Sequence, residues 1–153
     1  MRDKNVIFYA IEADFISIAI KSVEKMYTSG EKVLLLCETD EEVRSFDLTL
    51  WTYSKASFIP HGSKMSMPAE EDASFCHTWL STHISFCNNP TCLIHNGLDI
   101  SNQNLSKFNV IIDIFNKDLL PASRERAEYY KQSQFLQLKL WIQTGKNWLQ
   151  EGQ

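Results

Sequence analysis

Residues 5 to 37 constrain the fold more than any other stretch. Val6-Ile7-Phe8-Tyr9-Ala10 is β-branched and aromatic with no polar interruption, the composition of a strand buried on both faces. Asp14 stands where a helix N-cap belongs. Ile16, Ala19, Ile20, Val23, Met26 and Tyr27 then recur at three- and four-residue steps, with Lys21, Glu24 and Lys25 on the other side. Gly30 is placed to end that helix, and Lys32 to Cys37 reads as a second buried strand. A strand, a helix and a strand joined this way make a crossover, and a crossover makes the two strands parallel.

The chain continues in the same alternation. Thr39 and Glu42 have capping-box spacing. The acidic run Glu38, Asp40, Glu41, Glu42 suits a helix N-terminus, which explains it without a metal. Val43, Phe46, Leu50 and Trp51 form one face of this second helix, which should end near Tyr53. Ser57 to Pro60 reads as a short extended segment. Gly62, Pro68, Pro90 and the acidic Glu70-Glu71-Asp72 make residues 61 to 90 a long surface loop, with a short helix or strand somewhere in Phe75 to Phe86. Thr91 to His95 and Asn109 to Phe115 read as strands, and Ser101 to Lys107 as a loop. Ser123 is the expected N-cap of a short helix carrying Arg124 and Arg126. Leu136, Leu138, Leu140 and Ile142 then alternate with polar neighbours, the mark of a strand with one wet face. Gly145-Lys146-Asn147 is a turn and Trp148 a last anchor. The sum is one three-layer α/β domain over residues 1–153, a mostly parallel sheet flanked by helices with a late amphipathic strand at its edge.

Composition narrows function. A chain of 153 residues that is 44% hydrophobic can build a core. Its net charge of -4 and pI of about 5.5 do not favour binding to duplex nucleic acid, although a local basic patch is compatible with both. No apolar run approaches the ~20 residues that span a bilayer. The N-terminus has no signal-peptide pattern, so the expected compartment is the cytoplasm and the four cysteines are expected as free thiols. None of the five glycines makes a phosphate-cradling motif, and the turn after the first strand, Ile11-Glu12-Ala13-Asp14, is bulky and acidic. A nucleotide cofactor is not expected.

Three constellations remain. His83, Cys87, Cys92 and His95 are zinc-ligand types within thirteen positions, and they support an alternative reading as a small zinc-stabilised interaction module. Against it, Cys in a strand is often only a small buried residue. His61, His77 and Cys76 offer nucleophile chemistry by type but no recognisable catalytic arrangement. Arg124 and Arg126 fall in a first helical turn, where the helix field disfavours cations. They either bind a carboxylate of a partner or pair with Asp118 or Glu125.

Leu50-Trp51-Thr52-Tyr53 followed by Ser57-Phe58-Ile59-Pro60-His61-Gly62 resembles a characteristic segment of the chi subunit of bacterial DNA polymerase III holoenzyme. Phe8-Tyr9, Gly30-Glu31-Lys32-Val33, Asn89-Pro90, Arg124-Glu125-Arg126 with Tyr130-Lys131, and a closing Trp follow in that family's order. The resemblance implies a Rossmann-like, non-enzymatic clamp-loader accessory without cofactor or metal. Its implied partners are the acidic C-terminal tail of single-stranded-DNA-binding protein and the small psi subunit, with no strong direct grip on DNA and no membrane. Carried over by position, Arg124 would receive the tail's terminal carboxylate beside Trp51, with Arg126, Tyr130, Lys131 and Lys139 around them. Phe58, with Ile59 and Pro60, would face psi. This chain departs from the family pattern at Leu120, Ala127, Glu128 and Gln134, which leaves Arg126, Lys131 and Lys139 as the cations from which a tail pocket would be rebuilt.

Overall fold

The computed structural model describes residues 4–12, 14–52, 59–67 and 70–151. In chain order the elements are β1 (Asn5–Ile11), α1 (Phe15–Ser29), β2 (Val33–Leu36), α2 (Asp40–Thr52), β3 (His61–Ser63), a 3-10 turn (Glu70–Phe75), β4 (Thr78–Ser81), β5 (Cys92–His95), β6 (Val110–Asn116), a 3-10 turn (Lys117–Leu119), α3 (Leu120–Gln132), β7 (Gln137–Thr144) and β8 (Asn147–Glu151). They form one eight-stranded sheet in the order β3-β4-β2-β5-β6-β1-β7-β8. Every neighbouring pair is parallel except β7 with β8.

The sheet has a core on each face. One holds Phe15, Ala19, Val23, Phe46 and Leu50 of α1 and α2 against Val33, Leu35, Cys92, Ile94, Ile112 and Ile114. The other holds Tyr130 of α3 and Phe135 against Val6, Phe8, Leu34, Leu93 and Ile111. Strand residues alternate between the two lists because successive side chains point to opposite faces. This is the expected three-layer arrangement.

The opening crossover forms as its sequence implies. Asp14 accepts the Ile16 N–H (3.3 Å) and Gly30 closes α1 at φ 83°, a left-handed conformation that glycine adopts without strain. At α2, Thr39 Oγ1 accepts the Glu42 N–H (3.1 Å) and Glu42 Oε1 accepts the Glu38 N–H (3.1 Å).

Three expectations change. Residues 61 to 90 are not a long surface loop, because they contribute β3 and β4 and bury Trp79, Ala73 and Asn88. The Asn88 amide donates to the carbonyls of Val33 (3.1 Å), His77 (3.3 Å) and Cys76 (3.4 Å), tying this segment to β2. Of the extended segment expected at Ser57 to Pro60, Ser57 and Phe58 lie outside the described residues, and the strand itself starts at His61. Ser123 does not cap α3. The helix begins at Leu120 with Pro121 in its first turn and runs for 13 residues, and the Ser123 hydroxyl donates to the Leu120 carbonyl (2.6 Å) from inside it. The alternating strand is β7, and a hairpin turn at Gly145 (φ 61°) adds β8 beyond it as the sheet edge.

Candidate functional site

The densest polar arrangement lies under α3. Asp113 interrupts the apolar run of β6 and is fully buried. A lone carboxylate there requires partners, and α3 supplies them. Arg126 donates from Nε to Asp113 Oδ2 (2.7 Å) and from Nη2 to Oδ1 (3.0 Å), a two-pronged pair. The Tyr130 hydroxyl donates to Asp113 Oδ2 (2.7 Å). His95 Nδ1 accepts the Leu98 N–H (3.0 Å), so its proton sits on Nε2 and points at the Tyr130 oxygen (2.7 Å). Asp113 Oδ2 is farther from that nitrogen, at 3.5 Å. Burial holds His95 below its ordinary pKa, which Asp113 opposes and Arg126 reinforces. Burial, and then the Asp113 charge, push Tyr130 well above its usual value. For Arg126 burial works against the charge, but its bonds to Asp113 outweigh that and raise the pKa.

This geometry places the predicted residues. Arg126 and Tyr130 are both committed to Asp113: Tyr130 is fully buried, while Arg126 keeps a small exposed part that borders a separate pocket with Gly97, Asp99, Glu125 and Tyr129. Asp113, rather than Asp118 or Glu125, is the pairing carboxylate. The helix-field argument for the arginines also falls, because the earlier helix start puts Arg124 beyond the first turn.

Arg124 points away from this network. It is exposed, and it lines a groove of about 260 Å³ between α3 and β7 with Phe8, Ala127, Lys131, Leu138 and Leu140. Leu136, one of the exposed large apolar side chains, stands at the same groove, as does Glu151. Lys131 is drawn toward Glu128 one turn back (3.5 Å), so the Glu128 departure partly neutralises it. Lys139 borders the groove, but it pairs with Ile7 in the sheet, and the pleat sends its side chain to the opposite face from Leu138 and Leu140.

Trp51 is not brought to this groove. It stands 61% exposed at the end of α2, which packs on β3 and β4 at the other side of the sheet. Its ring meets His61 edge-on (5.3 Å between centroids), and His61 Nε2 lies 3.2 Å from Asp47 Oδ1. Of the residues expected to face psi, Phe58 lies outside the described residues, Ile59 is buried, and Pro60 is half-buried with its carbonyl accepting from the His77 and Thr78 amides.

The four zinc-type residues are not assembled. Cys92 is in the core under α1 and α2, Cys87 packs against the other core, both nitrogens of His95 are engaged, and His83 is exposed beside Ser81. Among the described residues no three His, Cys, Asp or Glu side chains converge on a metal-sized site. His61, His77 and Cys76 likewise form no catalytic arrangement. His77 instead donates from Nε2 to the Glu31 carbonyl (2.6 Å) and meets Thr78 through Nδ1 (2.7 Å). The residue that sequence reasoning missed is Asp113. Its signal was a single charge inside Val110-Ile111-Ile112-Asp113-Ile114-Phe115.

No helix among the described residues is long and apolar enough to cross a membrane. The profile of the family described as DNA polymerase III chi subunit, HolC, matches residues 4–137. A protein named probable DNA polymerase III subunit chi from Rickettsia prowazekii (strain Madrid E) is 33% identical over 66 residues, 42% of this chain and 40% of that protein. The DNA polymerase III subunit chi of Escherichia coli (strain K12) is 30% identical over 66 residues, 38% of this chain and 45% of that one. Less than half the length of either relative is therefore matched. The family match spans β1 to the start of β7, and with it the buried Asp113 network and the helix that presents Arg124: the chain belongs to the DNA polymerase III chi subunit family.

Proposed function

We propose that this protein is a cytoplasmic, non-catalytic accessory of the replicase that docks the acidic C-terminal tail of single-stranded-DNA-binding protein in the α3–β7 groove. The observation that carries the reading is the pairing of Arg124 with an apolar slot made by Phe8, Leu138 and Leu140. A peptide ending in an aromatic residue and a free carboxylate needs those two features together: a guanidinium for the two carboxylate oxygens and a greasy trough beside it. Lys131, weakened by Glu128, supplies diffuse attraction for acidic residues upstream. Trp51, Arg126 and Tyr130 take no part in this pocket.

The psi subunit is proposed to dock at the opposite edge of the sheet. Leu48 (66% exposed) and Trp51 (61% exposed) stand one turn apart on α2 and make an apolar stretch of that surface. Ile59 and Pro60 support that edge from behind.

A titration of the full chain with a peptide of the tail sequence tests the first assignment. Micromolar binding that disappears when the terminal residue is removed, and weakens with salt, is the expected result. Equal binding of the truncated peptide would remove the carboxylate from the reading.

A further inference from the structure

The net charge hides an uneven distribution. On the face of the sheet away from the α3 groove, α1 and the β7–β8 hairpin enclose a cleft of about 200 Å³ lined by Tyr9, Ile18, Lys21, Ser22, Lys25 and Trp148. None of these side chains is acidic. Lys21 and Lys25 are one helical turn apart and exposed. The pleat continues the surface outward. Trp141 pairs with Tyr9 and Lys139 with Ile7, so both stand on this same face, and Lys146 sits in the hairpin turn. Among the described residues Lys21, Lys25, Lys139 and Lys146 form no ion pair. Glu12, which reaches the hairpin turn, is held by Lys117 and by the Gly145 N–H (2.8 Å), and Glu151 of β8 lines the α3 groove on the other face.

Three aromatic rings among four unpaired lysines, in a chain that is acidic overall, have a chemical counterpart. Unpaired bases stack on aromatic faces while phosphates follow the cations, and this binding needs no base-edge hydrogen bonds. The Tyr9 and Trp148 rings meet nearly perpendicular (72°, 5.5 Å). Tyr9 therefore braces Trp148 from the side, leaving an indole that is 36% exposed. A duplex hides its base faces and would use only the lysines.

We propose that this cleft binds single-stranded DNA, with Trp148 as the stacking platform and Lys21 and Lys25 as phosphate contacts. Single-stranded DNA is chosen over RNA because the family is a DNA polymerase subunit. The site goes beyond the tail-docking reading and does not depend on it, since the two surfaces lie on opposite faces of the sheet.

The test is fluorescence anisotropy of a labelled oligothymidylate with the full-length chain at low salt, with duplex DNA and oligouridylate as further arms. Binding to the single strand, weaker binding to the duplex and no preference for oligouridylate are expected. Lys21→Ala with Lys25→Ala should lower the slope of log affinity against log salt by about 1.4, at ~0.7 per lost phosphate contact. Trp148→Ala should weaken binding about tenfold, while Trp148→Phe retains most of it. Circular dichroism and the melting temperature check that each variant is folded. Absence of binding by the wild type, an unchanged salt slope in the lysine variant, equal affinity for duplex, or preference for oligouridylate would each overturn the proposal. Tail-peptide titration of the same variants should be unchanged, so failure of one surface is distinguishable from failure of the other.

Discussion

Arg124 and Arg126 stand two positions apart in α3 and serve opposite ends. Arg126 closes both prongs on Asp113 beneath the helix, and Arg124 opens onto the groove beside it. Two steps along a helix turn a side chain by roughly 200°, so one can be anchored while the other is offered. The buried pair fixes the rotation of α3 about its axis, and that rotation aims Arg124.

Removing one partner of the buried pair should be costly. Arg126→Ala leaves the Asp113 carboxylate uncompensated, and a loss of ~3–5 kcal/mol is expected in urea-induced unfolding. Tyr130→Phe removes the hydrogen bond to the same carboxylate and the one that the hydroxyl accepts from His95, leaves no charge uncompensated, and should cost less, about 1.5–3 kcal/mol. If the two losses simply add in the double variant, Asp113 is not shared in the way the geometry states.

Arg124→Ala should separate binding from folding. Tail-peptide affinity is expected to fall by ~1.5–3 kcal/mol, the worth of a hydrogen bond to a charged group. The unfolding midpoint should stay close to that of the wild type, because the side chain is exposed. Calorimetric titration beside a denaturant melt reads both quantities, and undiminished tail binding would move the carboxylate site elsewhere.

Stability should fall in mild acid. Burial, reinforced by Lys32, lowers His77 to about 4, and burial also depresses His95. An unfolded histidine titrates near 6.5. Above about 6.5 both states are neutral and stability is full. Between about 6.5 and 4 the unfolded chain binds a proton that folded His77 refuses, so stability declines as pH drops, by at most ~1.4 kcal/mol per pH unit from this group. Below that window His77 contributes no further loss. His77→Gln should flatten the slope of unfolding free energy between pH 6 and 5, and an unaltered slope would contradict the assignment.

Gln134 follows α3 in a left-handed conformation (φ 75°), where glycine is at ease and a residue carrying a Cβ is strained. Gln134→Gly should stabilise the protein by about 1 kcal/mol, because the strain of roughly 1–2 kcal/mol is relieved against a greater unfolded-state entropy. A thermal melt decides it: a lowered midpoint would mean that the Gln134 side chain contributes more than its backbone costs.

The sequence made the first crossover readable because three signals agreed: unbroken apolar strands, a 3.6-residue stripe, and a cap at each end in Asp14 and Gly30. Residues 61 to 90 lacked all three. β3 is only three residues long, too short for periodicity, and its segment is fixed by one asparagine bonded to three carbonyls. The error at the arginines came from an unrecognised partner. The helix start, at Leu120 rather than Ser123, does not alter which residues share a face; what turns Arg126 inward is the buried Asp113, and without that partner recognised nothing in the helix sequence tells the two arginines apart. Trp51 and Arg124 were joined through resemblance alone, and no local pattern reports which edge of a sheet two distant side chains will reach.

β7 carries both proposed surfaces on alternate residues: Leu138 and Leu140 line the groove, while Lys139 and Trp141 extend the cleft on the other side. The two surfaces therefore share one parity. A single-residue insertion before Leu138 would exchange them, placing lysine in the apolar trough and leucine among the cations. An insertion of two would preserve each face and merely slide it along. Length variation in β7 should thus occur in even steps, with odd changes confined to the turn at Gly145.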